Sequence, residues 1–183
     1  MITDKIKRIV VAGIILLIGL FSMTACGKTE PQQRQSKKQR EPLDVKQITY
    51  LIYCGGLPDV EMYVITSDLK VTYYSIRPEV DKHYDYLAGE LPSEDLYEIT
   101  EYEISDKDWS NIVNVLTGVE FMELEEDLAT KDLVDDGSSY YIKVETSDSE
   151  HVSGGYCAGY DDNAQSRRFE QSREMIDNAI RNR

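Results

Sequence analysis

The feature that most constrains this chain is an uncharged, apolar run near its N-terminus. Residues 9–23 read IVVAGIILLIGLFSM, preceded by a short segment with three basic residues and followed by the small residues Thr24 and Ala25. This order is typical of a secretory signal peptide, which takes no part in the fold. Residues 9–25 number 17, fewer than the roughly 20 that a membrane-spanning helix usually needs. The fold must therefore come from the rest of the chain.

The residues that follow the apolar run carry a processing signal. The segment MTAC at residues 23–26 resembles the lipobox of bacterial prolipoproteins, although Met23 stands where leucine is usual. The resemblance implies diacylglycerol on the Cys26 sulfur, cleavage before Cys26, and a chain anchored at the outer face of the cytoplasmic membrane. Two acyl chains suffice for stable attachment. The alternative is an uncleaved signal anchor. Beyond residue 26 the chain is similar only in general character to small uncharacterised Gram-positive lipoproteins.

The charge of the chain is distributed unevenly after Cys26. The whole chain carries a formal charge of −14, with +4 on residues 28–40 and −20 on residues 41–183. So acidic a chain lacks the clustered Lys and Arg that nucleic-acid binding requires. We expect a signal peptide at 1–25, a lipidated cysteine and disordered basic tether at 26–44, and an acidic head domain at 45–183 that anionic lipid repels.

Hydrophobic periodicity within the head predicts a single α+β domain. Alternating β-branched and aromatic residues predict six strands, at 46–54, 60–66, 70–76, 96–105, 139–146 and 151–160. A helix is predicted after Ser105, with Trp109, Ile112, Val113 and Leu116 on one face, and a second from Asp162 or Asn163 to about Ile180. The order βββ-β-α-ββ-α indicates an antiparallel sheet of about six strands with two helices packed on it.

Two patterns that resemble catalytic motifs do not support an enzyme. Ser67 and Lys70 match the S-x-x-K pattern of penicillin-binding enzymes, but they fall in a predicted hairpin turn rather than at a helix start. Asp148, His151 and Ser153 have the composition of a hydrolase triad. On one strand, however, His151 and Ser153 would lie roughly 7 Å apart, beyond hydrogen-bond reach. We therefore expect no catalysis, and rank an extracytoplasmic hydrolase last.

Acidic loops make calcium the second hypothesis. Calcium prefers six to eight oxygen ligands, and weak sites are useful outside the cell. Carboxylates alternate or cluster without EF-hand spacing at Asp81, His83 and Asp85, at Glu120, Glu123, Glu125, Glu126 and Asp127, and at Asp132, Asp135 and Asp136. We interpret these loops as solvated. The alternative is a calcium-stabilised surface lipoprotein with ligands from Glu123, Glu125, Glu126, Asp127, Asp135 and Asp136.

Two cysteines and many tyrosines remain in the head. Cys54 and Cys157 lie at glycine-rich strand ends, where an exported domain could join them in a disulfide or bury them as free thiols. All 13 tyrosines lie in the head, and Tyr84 and Tyr86 fall in the long segment 77–96. Exposed tyrosine favours interfaces. The tyrosine rings are interpreted first as a cover for the two faces of the sheet, and the alternative is that Tyr84 and Tyr86 are partner contacts. The sequence thus predicts a lipid-anchored, non-catalytic binding module for an unknown protein or glycan.

Overall fold

The computed structural model describes residues 40–79, 81–132 and 134–181. Residues Arg40–Arg183 form one compact unit. The predicted signal peptide, the lipobox-like segment 23–26 and most of the predicted basic tether lie outside the described residues. The unit contains six strands and two α-helices: β1 (Val45–Tyr53), β2 (Val60–Thr66), β3 (Lys70–Ile76), β4 (Tyr97–Glu103), α1 (Asp106–Gly118), β5 (Ser139–Thr146), β6 (Glu150–Tyr156) and α2 (Ala164–Arg181). Short 3₁₀ turns occupy Tyr86–Ala88, Glu94–Leu96 and Phe121–Glu123.

The strands form one antiparallel sheet in the order β4-β3-β2-β1-β5-β6. The predicted fold class and element order are thus confirmed. Three strands, β2, β3 and β5, have the predicted bounds, and most of the other element boundaries differ from the prediction by one or two residues. The largest difference is at the end of β6, which stops at Tyr156 because Cys157 adopts a left-handed backbone with φ 49°.

Both helices cover one face of the sheet, which we call the helix face. Ser105 caps α1 by accepting a hydrogen bond from the Asp108 backbone N–H at 3.1 Å, and Asn163 does the same for Ser166 at 2.9 Å before α2. Such caps satisfy backbone donors that a helix start leaves free. Apolar side chains of the helices and the helix face then form the main core, including Ile48, Ile65, Ile112, Leu116, Ile142, Phe169 and Ile176.

The second face of the sheet, which we call the loop face, is covered by the segment 77–96 that joins β3 to β4. Tyr86 from this segment packs with Leu51, Val60, Met62 and Ile76 to form a second, smaller core. A loop with its own buried core is held in place by apolar burial rather than by backbone pairing alone. The sheet is therefore a layer between two unlike covers.

The two edges of the sheet differ. Residues before β5 pair in parallel with β6: Gly154 donates to the Glu126 carbonyl at 3.0 Å, Leu128 donates to Gly154 at 2.7 Å, and Thr130 donates to Tyr156 at 2.9 Å. Nothing in the described part of the chain pairs with the outer edge of β4. No helix within the described residues is long and apolar enough to cross a membrane.

Candidate functional site

A groove lies where the 77–96 segment meets the loop face. Its roof is the turn around Tyr86–Gly89, and its floor and walls come from β1, β2, β3 and β5. The groove has a volume of about 210 Å³, smaller than a typical drug-sized site. It is therefore suited to one side chain or an equally small group. Its lining combines apolar Met62 and Val64 with polar or charged Gln47, Thr49, Tyr74, Lys143 and Glu145.

Strand register places the polar lining residues on the same face. Gln47 pairs with Glu145, and Thr49 pairs with Lys143, across the β1–β5 ladder. Alternate residues of a strand point to the same side of a sheet. The amide Nε2 of Gln47 also donates to Glu145 Oε1 at 3.4 Å. Two adjacent strands therefore form one polar wall beside the apolar floor.

Lys143 fastens the roof to the sheet. Its ammonium donates to the Leu87 carbonyl at 3.3 Å, and lies 3.0 Å from Glu145 Oε1 and 3.1 Å from Glu150 Oε2. Burial alone would lower the pKa of Lys143, but hydrogen bonds and charge from Glu145 and Glu150 outweigh it, so the pKa is raised. A lysine has three N–H donors, and all three have acceptors here. Lys143 is thus a positioning residue that remains charged.

The tyrosines of the 77–96 segment have different roles. Tyr86 is only 4% exposed, and its ring centroid lies 6.2 Å from that of Tyr53 and 5.8 Å from that of Tyr84. Its buried hydroxyl has no hydrogen-bond partner among the described residues. Burial, with Tyr86 and Tyr141 nearby, raises the pKa of Tyr53 to about 12. Tyr86 is therefore a core anchor rather than an exposed contact, because its apolar ring packs under the loop, while Tyr84 stays half-buried.

No protein-family model matches the chain, and no curated protein is significantly similar to it. The interpretation of the groove therefore depends on its own geometry and charge.

The predicted calcium ligands do not form a cluster. No group of three or more His, Cys, Asp or Glu side chains converges on a metal-sized site among residues 40–79, 81–132 and 134–181. Several of these residues have local structural roles instead. Asp127 accepts from the Ala129 backbone N–H at 3.0 Å, and Asp85 accepts from the Ala88 backbone N–H at 3.1 Å. Glu123 lies in a 3₁₀ turn, and Asp136 has a left-handed backbone.

The residues of the two rejected catalytic patterns also have structural partners. Ser153 is buried and donates to the Glu125 carbonyl at 2.7 Å. The His151 ring packs edge-on against Phe121, with centroids 5.8 Å apart. Lys70 pairs with Asp68 at 3.0 Å in the β2–β3 turn beside Ser67.

Both thiols of the head are free in the structure, so the disulfide alternative for Cys54 and Cys157 is not formed there. The cysteines follow the ends of β1 and β6, and β5 lies between these strands. Two strand spacings amount to about 10 Å, more than the roughly 7 Å between Cα atoms that a disulfide tolerates. Burial raises the pKa of the half-buried Cys54 thiol, with Glu61 and Asp59 adding to the effect. Cys157 is buried.

Sequence reasoning missed the residues of the groove wall. The segments that contain Gln47, Lys143 and Glu145 were predicted as strands from their apolar and aromatic residues. The signal that could have found them is one cation, Lys143, in the otherwise uncharged stretch SYYIKV, with Glu145 two residues later on the same face. A charge placed in a central strand requires a partner on that face.

Proposed function

We propose that this chain is a lipid-anchored, non-catalytic binding domain on the outer face of the bacterial cytoplasmic membrane, and that its groove receives a basic side chain of a protein partner. The observation that carries the proposal is the groove itself: a built, small space with an apolar floor and a polar wall that includes the Glu145 carboxylate, under an anchored loop. Lipidation of Cys26 supplies the address. No acid–base or nucleophilic constellation competes with this function among the described residues.

The charge at the wall supports a basic ligand. Lys143, Glu145 and Glu150 together carry a formal charge of minus one, and the first is already fully engaged. A carboxylate can accept up to about four hydrogen bonds, so Glu145 retains capacity for a donor from a ligand. The formal charge of −20 on residues 41–183 attracts cationic partners over a longer range. An acidic ligand would be repelled by Glu145 and Glu150 at short range and by the net charge of residues 41–183 at longer range.

The proposal can be tested by titrating the labelled head with Nα-acetyl-lysine amide and Nα-acetyl-arginine amide, observed by NMR. We expect saturable shifts of backbone signals at Gln47, Gly89 and Lys143. A matched pair of variants provides the control. Gly89 lines the groove, and it has φ +86° with no atom within 4 Å of an added Cβ, so Gly89→Asn should fold and add a side chain at the roof of the groove.

Gly56 provides the same change outside the groove. It has φ +72°, and an added Cβ would meet only the flexible Asp136 carboxylate, at 3.0 Å. Gly56→Asn should therefore bind as the wild type does, whereas Gly89→Asn should not. Equal binding by both variants, or a preference for Nα-acetyl-glutamate amide, would contradict the proposal.

A further inference from the structure

Within the described part of the chain, the outer edge of β4 presents a regular row of unpaired backbone groups. Arg77 donates to the Leu96 carbonyl at 2.8 Å, and Ile104 donates to the Leu69 carbonyl at 2.9 Å. These bonds fix which positions of the β3–β4 register are hydrogen-bonded pairs. The residues of β4 bonded to β3 are Glu98, Thr100 and Tyr102. The residues whose N–H and C=O groups point outward are Tyr97, Ile99, Glu101 and Glu103.

The β4 edge differs from the β6 edge in how far the described residues cover it. The chain covers β6 with residues 126–130 in parallel pairing, whereas the described residues provide no such cover for β4. An exposed strand edge is a template for pairing with another chain. Natural proteins protect such an edge by shortening it, bending it, adding a proline or placing charges on it, and of these devices β4 has only the charges of its glutamates. β4 has seven residues, no proline and an unbroken register with β3.

The side chains of β4 select what could pair there. Ile99, at the centre of the strand, is 51% exposed. On the same face the Tyr97 ring lies 6.0 Å from the Tyr74 ring, so an apolar stripe reaches the edge. The strand is otherwise acidic, with Glu98, Glu101 and Glu103 all exposed. These carboxylates repel a second copy of β4 and favour a strand with basic residues opposite them.

We propose that the outer edge of β4 binds an extended, basic segment of a different protein by strand addition. Main-chain hydrogen bonds to the four outward-pointing residues hold the segment. Its apolar side chains contact Tyr97 and Ile99, and its basic ones pair with the glutamates. The chain's own basic stretch at 28–40 has no aliphatic or aromatic residue to place against Ile99. The edge is also separate from the groove, whose polar wall lies on β1 and β5.

The probe is a peptide designed from the register, acetyl-KVKTVKY-amide. Paired antiparallel to β4, it places lysines opposite Glu103, Glu101 and Glu98, valine opposite Ile99 and tyrosine opposite Tyr97. The control peptide, acetyl-EVETVEY-amide, has the same pattern with reversed charge. We expect the basic peptide to bind the head saturably and the acidic peptide not to bind.

Amide hydrogen exchange distinguishes strand addition from loose charge attraction. Bound peptide should slow exchange at the outward amides of Ile99 and Glu101, and leave Thr100 and Tyr102, already bonded to β3, unchanged. This alternation along the strand is expected only if backbone groups pair. Uniform slowing, or shifts without slowing, would overturn the proposal. Alternating protection in the absence of peptide would also overturn it, because a second copy would then occupy the edge.

Two variants test the backbone and the charges separately. Ile99→Pro removes one outward N–H without breaking a bond to β3, and proline is tolerated at strand edges; we expect it to weaken peptide binding about tenfold or more. Ile99→Thr keeps the N–H and the branched Cβ and should retain alternating protection. Glu101→Lys combined with Glu103→Lys should exchange the preference between the two peptides. Full binding by Ile99→Pro would refute strand addition.

The groove variant separates this proposal from the proposed function. Gly89→Asn should bind the basic peptide as the wild type does, since no residue of β4 lines the groove and Gly89 lies on the roof, whereas the groove approaches β4 through Tyr74. Loss of peptide binding in Gly89→Asn, with Ile99→Pro unaffected, would place the peptide in the groove and overturn the edge proposal alone.

Discussion

The same substitution in two buried tyrosines should change stability in opposite directions. Tyr86 and Tyr50 are 4% and 0% exposed, but only the Tyr50 hydroxyl has a partner, Asp177 Oδ2 at 3.5 Å. A buried hydroxyl without a hydrogen bond costs about 1–3 kcal/mol relative to its hydrated state. Tyr86→Phe removes this cost, and we expect the free energy of unfolding to rise by about 1 kcal/mol. In a domain of this length that corresponds to a melting temperature roughly 3–4 °C higher.

Tyr50→Phe should lower the melting temperature by a similar amount. It removes a hydrogen bond of about 1 kcal/mol from Asp177 Oδ2, which keeps the Arg173 guanidinium at 3.2 Å. Tyr86→Ala is the third arm: it deletes the ring that anchors the 77–96 segment, at a cost of about 3–5 kcal/mol by analogy with Phe→Ala in cores. Thermal and urea melts of the three variants provide the measurement. If Tyr86→Phe melts below the wild type, its hydroxyl is bonded and the reasoning about this second core is wrong.

Three further predictions concern a glycine, a buried carboxylate and the anchor. Gly154→Ala should destabilise severely or fail to fold, because the added Cβ would lie 2.6 Å from Tyr141 Cα, whereas Gly118→Ala, with open space around it, should be neutral or stabilising in the same melts. Burial raises the pKa of Asp177 above its ordinary value of 3.8, against the opposing charges of Arg181 and Arg173. The native state therefore holds this proton longer, and wild-type stability relative to Asp177→Asn should fall as the pH rises above 3.8; a constant or rising difference would contradict the assignment. Mass spectrometry of the wild-type membrane fraction should show a chain that begins at a lipid-modified Cys26, and Cys26→Ser should abolish both the lipid and the cleavage; a full-length wild-type chain without lipid would support an uncleaved signal anchor.

The fold was predictable because its signals are local. The segments that became β1, β2, β3 and β5 are rich in β-branched and aromatic residues, and short turns between several of them favour antiparallel neighbours. Ser105 with Asp108 indicated where α1 begins, and Ile112 and Leu116 lie in its buried stripe as expected. The end of β6 was predicted four residues too late, because the left-handed turn at Cys157 depends on the neighbouring chain rather than on its own residue type.

The site could not be predicted in the same way, because it depends on the path of the 77–96 segment, whose described residues contain two short 3₁₀ turns and no strand or α-helix. Tyr86 is a tyrosine in a long loop segment, which is typical of an exposed partner contact. Its burial follows only from the path of residues 77–96 across the loop face. Lys143 would be an unfavourable charge in a central strand without Glu145, Glu150 and the Leu87 carbonyl, and the last of these comes from that loop. Tertiary contacts of this kind have no periodic sequence signal.

The distribution of charge gives both proposed surfaces one physical requirement. Helices cover one face of the sheet, the 77–96 segment covers part of the other, and residues 126–130 cover one edge, so the groove and the β4 edge are two polar surfaces that these covers leave accessible. The β4 edge is acidic, the groove wall includes the Glu145 carboxylate, and both belong to an acidic head. Attraction between exposed charges falls over about 8 Å at physiological salt, so salt should slow association at both surfaces. The backbone pairing at β4, once formed, is screened far less. Salt should therefore affect the association rate of the basic peptide more than its dissociation rate, and a dissociation rate that rises equally with salt would indicate charge attraction without strand addition.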